Sequence, residues 1–168
     1  MINQHIIYQT LWECQKQSPN KRYLYALVDG LQYERLFKRE ITEENGILPL
    51  FIQPNNQDIA FYGPWLWDIE QLSDEYQNRL IHLEQTYPAV SWIISSLSFK
   101  FLFNQLESKL HLRVEANNYA MLRYYDPRVL YRLKTILTPK QFKLFTLQID
   151  EWLYYHDNHY HSFIRGSL

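Results

Sequence analysis

The sequence contains few of the residues on which several protein classes depend. Only one of its 168 residues is cysteine, and only four are glycine. A single cysteine, Cys14, excludes an intramolecular disulfide, so a reducing compartment is expected. Four glycines are too few for backbone loops that cradle phosphate, and no Gly-rich phosphate loop occurs. The sequence therefore argues against a disulfide-stabilised module and against a phosphate-binding loop.

Net charge and long apolar runs are also missing. The chain has 17 basic and 18 acidic residues, so it offers no net field to attract nucleic acid or an anionic membrane. The first ten residues lack the basic start and long apolar run of a signal peptide, and no stretch reaches about 18 apolar residues. We therefore expect a soluble, cytoplasmic protein.

Aromatic residues, in contrast, are abundant. The chain has 14 Tyr, nine Phe and five Trp, which is more than a small core needs. Because exposed Tyr and Trp are enriched at protein interfaces, some of them are expected to face a partner. The candidate partner-binding aromatics are Tyr33, Trp65, Trp67, Trp152, Tyr154 and Tyr155.

Strand and helix patterns alternate along the chain. The apolar run Tyr23–Val28 predicts a central strand covered on both faces, and Ser73–Tyr87 has the spacing of an amphipathic helix. The sequence therefore predicts an α/β (mixed α+β) domain, with a central mixed β-sheet flanked by amphipathic helices. A division into two small lobes near residues 95–98 is an alternative. One domain spans residues 1–168, with residues 146–168 as an aromatic, His-rich C-terminal extension.

The segment Arg123–Leu130 carries three charges within six residues. Asp is a good N-cap residue and Pro suits the first helical position, so a strand over residues 119–125 is predicted to become a helix at Asp126 and Pro127. Arg123 and Arg128 flank the acid, and a structural ion-pair cluster is the favoured interpretation. Replacement of Asp126 by Ala is then expected to give mostly insoluble protein.

A second acid, Asp29, follows the predicted central strand. A helix or turn cap is its favoured role, but ligand sites also gather at strand ends in α/β sheets. If Asp29 and Asp126 converge, with histidines of the 156–161 tract nearby, they fit a small metal-dependent hydrolase or nuclease. No acid or cysteine at a known zinc spacing supports these histidines, so no metal and no cofactor is predicted. The sequence also lacks a G-x-S-x-G elbow and an H-E-x-x-H helix.

Three blocks taken together resemble one known family. They are Leu24–Gly30, Gly63–Leu66 and Arg123–Leu130, and the third is the most specific. In order and separation they are similar to the DUF4123 family, the adaptor chaperones of bacterial type VI secretion. The resemblance covers about residues 23–145. Its motif residues in this sequence are Asp29, Gly30, Gly63, Pro64, Arg123, Asp126, Pro127 and Arg128.

This resemblance implies a loading factor that is not an enzyme. Such a protein binds a secreted effector in the cytoplasm and helps to place it on the VgrG/PAAR spike, without a cofactor and without contacts to nucleic acid or insertion into a membrane. Two alternatives from other classes stay open at this point. They are the metal-dependent hydrolase described above and a self-associating structural subunit.

Overall fold

A computed structural model describes residues 5–51, 60–115 and 118–167. The helices are α1 (Ile6–Lys16), α2 (Gly30–Phe37), α3 (Asp74–Thr86), α4 (Phe99–Glu107), α5 (Pro127–Ile136) and α6 (Pro139–Phe145). The strands are β1 (Tyr23–Asp29), β2 (Ile47–Pro49), β3 (Pro64–Asp68), β4 (Val90–Ser95), β5 (His111–Glu115), β6 (Asn118–Met121), β7 (Ile149–His156), β8 (His159–Ser162) and β9 (Gly166–Ser167). The predicted fold class, helices packed on a central sheet, is confirmed.

One seven-stranded sheet in the order β2-β3-β1-β4-β7-β8-β9 organises the described residues. Its neighbouring strands all pair antiparallel, so the prediction of a mixed sheet is wrong in this respect. Helix α2 connects β1 to β2 and α3 connects β3 to β4; the strands of each pair run in the same direction but are separated in the sheet by an antiparallel strand. Strand β4 pairs with both β1 and β7, so the sheet is continuous across the predicted lobe boundary at residues 95–98.

Strand β1 lies at the centre of the protein, and its side chains alternate between two apolar cores. Tyr25 and Leu27 pack with α4, α5 and α6 on one face. Leu24, Ala26 and Val28 pack with α1, α2 and α3 on the other face. This two-sided burial explains the continuous apolar run in the sequence, because neither face of the strand meets water. The protein therefore has three layers, with the sheet between two layers of helices.

The segment before α5 differs from the predicted strand. Strand β6 ends at Met121, and Tyr124 and Tyr125 lie in a turn closed by a hydrogen bond from Asp126 N to Arg123 O of 3.0 Å. Both tyrosines are buried. Neighbouring side chains of a strand point to opposite faces, so a strand of a two-stranded hairpin would not bury both of them. Tyr124 also donates a hydrogen bond of 2.6 Å to Leu106 O in α4. The turn thus anchors α5 to α4. The Asn117-Asn118 step predicts a turn between two strands, but Asn117 lies outside the described residues.

The C-terminal segment contributes to the sheet. Residues 149–162 form β7 and β8, and β7 lies beside β4 in the sheet. Trp152 of this segment is fully buried and has ring centroids within 6 Å of Tyr124, Phe145 and Phe163. The predicted extension therefore supplies one wall of the core beneath α4, α5 and α6.

Burial corrects most of the aromatic candidates. Tyr33, Trp65, Trp67, Trp152 and Tyr154 are at most 2% exposed, so the prediction that they face a partner is wrong. They lie on a sheet covered by helices on both faces, or on the inner face of α2, where the large aromatic surface is needed to fill the core. Tyr155, near the end of β7, is partly exposed.

None of the helices in the described part of the chain combines the length and the apolar composition needed to cross a bilayer.

We expect Trp152→Ala to lower the free energy of unfolding by about 3–5 kcal/mol, because it opens a cavity among three buried rings. Trp12→Ala is the matched control, since Trp12 is 59% exposed on α1 and its removal leaves no cavity. Urea denaturation followed by circular dichroism measures both. Equal effects of the two substitutions would contradict the packing described here.

Candidate functional site

The three sequence blocks meet at one end of β1. Asp29, the last residue of β1, pairs in register with Pro64 of β3. The next residue, Gly30, donates a backbone hydrogen bond of 2.9 Å to Gly63 O. A Cβ atom at Gly30 would lie 2.1 Å from Phe61 O, so only glycine fits between β1 and the loop before β3. The Asp29-Gly30 and Gly63-Pro64 steps are thus two sides of one close backbone contact.

The carboxylate of Asp29 is buried and begins α2. Its Oδ1 accepts a hydrogen bond of 3.2 Å from Gln32 N, which is the N-cap interaction that the sequence favoured. Arg123 Nη2, from the third block, lies 3.8 Å from Asp29 Oδ2. Burial raises the pKa of Asp29 above its ordinary value of 3.8, although the helix N–H groups and Arg123 act in the opposite direction.

The carboxylate of Asp126 has the same role for α5. Its Oδ1 accepts a hydrogen bond of 2.9 Å from Arg128 N, and Pro127 takes the first helical position. The Arg128 side chain completes a bidentate pair, with Nε 3.0 Å from Oδ1 and Nη2 2.7 Å from Oδ2. The structural ion-pair interpretation of this motif therefore matches the geometry.

The two carboxylates are close enough to influence each other. The negative charge of Asp126 adds to the rise in the pKa of Asp29, and Arg123 is attracted by both acids. Arg123 also lies over the Tyr125 ring, with its guanidinium carbon 5.6 Å from the ring centroid. We call Asp29, Arg123, Tyr125, Asp126 and Arg128 the carboxylate–arginine cluster. Its acids are engaged by helix N-termini and arginines, while the side chains of Arg123 and Arg128 remain about half exposed.

The histidine tract lies beside Arg128 of this cluster, since Arg128, His156 and Asp157 line one cavity of about 370 Å³. His156 and His161 surround the ring of Tyr131 on α5, with centroid distances of 5.0 and 5.4 Å. Across residues 5–51, 60–115 and 118–167, no three His, Cys, Asp or Glu side chains are arranged to hold a metal ion. The convergence of Asp29, Asp126 and these histidines, on which the hydrolase alternative depends, is thus not seen among the described residues.

Two of the buried aromatic candidates line a cavity of about 470 Å³ beside β3. Tyr33 and Trp67 form its inner wall, and Arg39 from the loop after α2 reaches the Tyr33 hydroxyl at 3.5 Å. Tyr76 of α3 donates a hydrogen bond of 2.6 Å to Glu44 Oε1 at the rim. Because acidic and basic side chains both line it, the cavity has no single charge preference.

Sequence reasoning missed the aromatic and aliphatic side chains that are exposed. Among the described residues, those exposed by at least half are Trp12, Phe101, Ile136, Leu144 and Leu147. A signal for them exists in the helical pattern. Phe101, for example, adjoins the buried Leu102 and points away from the core stripe of Leu102 and Leu106. An apolar residue outside the core stripe of an amphipathic helix is therefore the sequence pattern that predicts an exposed apolar side chain.

We expect Asp126→Ala to lower the free energy of unfolding by about 1–3 kcal/mol, through loss of the α5 cap and of the Arg128 pair. The effect should be smaller than for a fully buried pair, because the Arg128 side chain is 55% exposed and stays hydrated. Asp126→Asn keeps an oxygen for the cap and is expected to fall between the wild type and Ala. Thermal unfolding measures all three, and an unchanged melting temperature for Asp126→Ala would contradict the role assigned to this acid.

A pH dependence follows from Asp29. Because its pKa is raised in the folded state, the folded protein keeps this proton to higher pH than the unfolded chain. Ionisation of Asp29 therefore lowers the free energy of unfolding as pH rises from about 3.8 to the raised pKa of the folded state, and it has no further effect above that pKa. Asp29→Asn keeps a cap oxygen but cannot ionise, so it should gain stability relative to the wild type across this window. Urea denaturation between about pH 3.5 and pH 7.5 tests this; a difference that does not change with pH would refute it.

One known protein family matches the chain over the region that contains these motifs. The family model described as a domain of unknown function, DUF4123, matches residues 24–144, which include every member of the carboxylate–arginine cluster. No curated protein and no solved structure matches the chain significantly. Because the match covers well over half of the sequence, this chain belongs to the DUF4123 family.

Proposed function

We propose that this protein is a cytoplasmic adaptor chaperone that binds a type VI secretion effector and helps to load it onto the VgrG/PAAR spike. It acts by protein–protein binding, without catalysis and without a cofactor. Membership of the DUF4123 family and the motif resemblance set this expectation. A cognate effector and a spike component are its partners.

The observation that carries the proposal is the contrast between the motif residues and the exposed surface. The acids of the carboxylate–arginine cluster are occupied by two helix N-termini and by Arg128 and Arg123. Their arrangement supports folding: Asp29 fixes the start of α2, and Asp126 fixes the start of α5. Large apolar side chains are meanwhile exposed on α1, α4, α5 and α6, where they add nothing to the core. Exposed apolar groups of this kind are typical of surfaces that bind another protein.

This proposal assigns separate roles to the interior and the surface. The cluster holds the two helical layers at the end of β1, and the exposed side chains meet the client. Binding that shields apolar segments of an effector would keep the effector soluble until it reaches the spike. The affinity would come from a few apolar anchors within a polar rim rather than from the whole contact area.

A tagged chain purified from the bacterium that encodes it, followed by mass spectrometry, tests the proposal. We expect a secreted effector or a spike component in near-equal amount. Deletion of the gene should lower the soluble amount of that effector and its delivery, while secretion of the spike itself continues. An effector that stays soluble and is delivered without this protein would overturn the proposal.

A metal titration separates this function from the hydrolase alternative. A specific metal site raises the melting temperature as the ion is added, because the ion binds only the folded state. We expect no such rise with Mg²⁺, Mn²⁺ or Zn²⁺. A saturable rise that is lost in Asp29→Asn would favour the enzyme.

A further inference from the structure

The two helical layers differ in charge, although the whole chain is nearly neutral. The helices α4, α5 and α6 carry six basic residues and one acid, which are Lys100, Arg128, Arg132, Lys134, Lys140 and Lys143, with Glu107. The helices α1, α2 and α3 carry three basic residues and five acids, which are Lys16, Arg35 and Arg79, with Glu13, Glu34, Asp74, Glu75 and Glu84.

Packing places these two sets on opposite sides of the protein. The helices α4, α5 and α6 cover the face of the sheet that carries Tyr25 and Leu27, while α1, α2 and α3 cover the other face. Although the net charge is close to zero, the helices of one layer are therefore mainly basic and those of the other are mainly acidic. A field of one sign over one face can steer and orient a partner even when the total charge is close to zero.

The basic layer also carries most of the exposed apolar side chains. Of the nine large apolar residues exposed in the described part of the chain, five lie on α4, α5 or α6 or directly after α6, and only Trp12 lies on α1 to α3. Those five are Phe101, Tyr131, Ile136, Leu144 and Leu147, with exposed fractions from 47% to 69%. Charge and apolar exposure thus coincide on one face.

Three of these side chains lie on two helices that are bonded to each other. Gln105, one helical turn after Phe101 in α4, donates a hydrogen bond of 2.8 Å to Leu147 O. Lys109 likewise donates a hydrogen bond of 2.6 Å to Phe145 O at the end of α6. These bonds hold α4 against the end of α6, and Phe101 lies on the same side of α4 as Gln105, since residues four apart share a helix face. We call Phe101, Leu144 and Leu147, with the exposed Lys100, Lys140 and Lys143 of the same two helices, the basic apolar patch.

We propose that the basic apolar patch is the docking site for an acidic amphipathic segment of the effector. This inference rests on the proposed function, and it adds the face of the chaperone and the chemistry of the client segment. Apolar side chains of the segment would cover Phe101, Leu144 and Leu147, and its carboxylates would meet the three lysines. The apolar contacts supply most of the affinity, and the charges supply orientation and association rate.

The composition of the patch favours a protein over a nucleic acid. Single strands bind through aromatic side chains on which bases stack, whereas two of the three apolar residues here are leucines. Leucine offers no stacking surface but packs well against apolar side chains. The same reasoning predicts that the client segment carries more Asp and Glu than Lys and Arg.

Site-specific photo-cross-linking in the native cell tests the docking site directly. A photoreactive phenylalanine analogue replaces Phe101 in one strain and Trp12 in another. The two positions match in exposure, at 66% and 59%, but lie on opposite layers. We expect the Phe101 position to cross-link the effector that co-purifies with the wild type, at a segment of net negative charge. The Trp12 position should not cross-link that segment.

Binding measurements with the purified effector quantify how much the apolar and the charged side chains of the patch contribute to the affinity. We expect Leu144→Ser combined with Leu147→Ser to weaken binding at least about tenfold, and Trp12→Ser to change it less than about twofold. Lys140→Glu combined with Lys143→Glu should weaken binding at low salt and flatten its salt dependence. Each variant is first checked for an unchanged melting temperature, since all the substituted side chains are exposed.

The outcomes separate this inference from the proposed function. If an effector co-purifies but cross-links from Trp12 and not from Phe101, the docking site is wrong and the chaperone function stands. Cross-links from Phe101 to a second copy of the chain would show self-association through the basic layer and would overturn the inference. Cross-links to nucleic acid would equally overturn the inference. If no effector co-purifies with the wild type, the proposed function fails and the docking site fails with it.

Discussion

The burial of β1 on both faces is the constraint from which the rest of the structure follows. A strand with no hydrated face needs an apolar layer above it and another below it. The first layer comes from α1, α2 and α3, which precede β4 in the chain. The second comes from α4, α5 and α6, which follow it. The sheet thus separates the N-terminal helices from the C-terminal ones, and their surfaces can differ in composition.

The end of β1 is where the two layers are joined. Asp29 starts α2 on one side of the sheet and attracts Arg123, which precedes α5 on the other side. Burial disfavours the ionised form of Asp29 and raises its pKa, whereas the N-terminus of α2 and Arg123 favour that form. Arg123 and Arg128 are held beside the two acids, with about half of each side chain in water.

The net charge of the whole chain does not describe its surface, because the helices of the two layers differ in charge. Counted along the chain, 17 basic and 18 acidic residues argue against electrostatic attraction of nucleic acid or an anionic membrane. In the folded protein most of the helical basic residues lie on one face, beside exposed apolar side chains. In the proposed function, this face would hold an acidic apolar segment, while the opposite face would be available for a second contact. The proposed client and the spike component need not compete for one surface.

The sequence predicted those features that depend on a few neighbouring residues. Apolar spacing identified the helix over Ser73–Tyr87, which is α3 at Asp74–Thr86, and the Asp-Pro step identified the start of α5. Asp29 was likewise favoured as a cap, which it is. Such features are encoded locally, because one helical turn or one N-cap bond involves residues three or four positions apart.

Side-chain environment was predicted less well, because it depends on contacts between distant segments. Tryptophan is a residue type enriched at interfaces, yet strand pairing places Trp65, Trp67 and Trp152 in the core around the sheet. The order and direction of the strands depend on pairings such as β4 with β7, whose residues lie more than 50 positions apart. The sequence by itself determined the local elements, their caps and the family motifs. Only the tertiary structure decided which aromatics are buried, that Asp29 meets Arg123, and that the basic helices share one face, because each of these requires segments from different parts of the chain to come together.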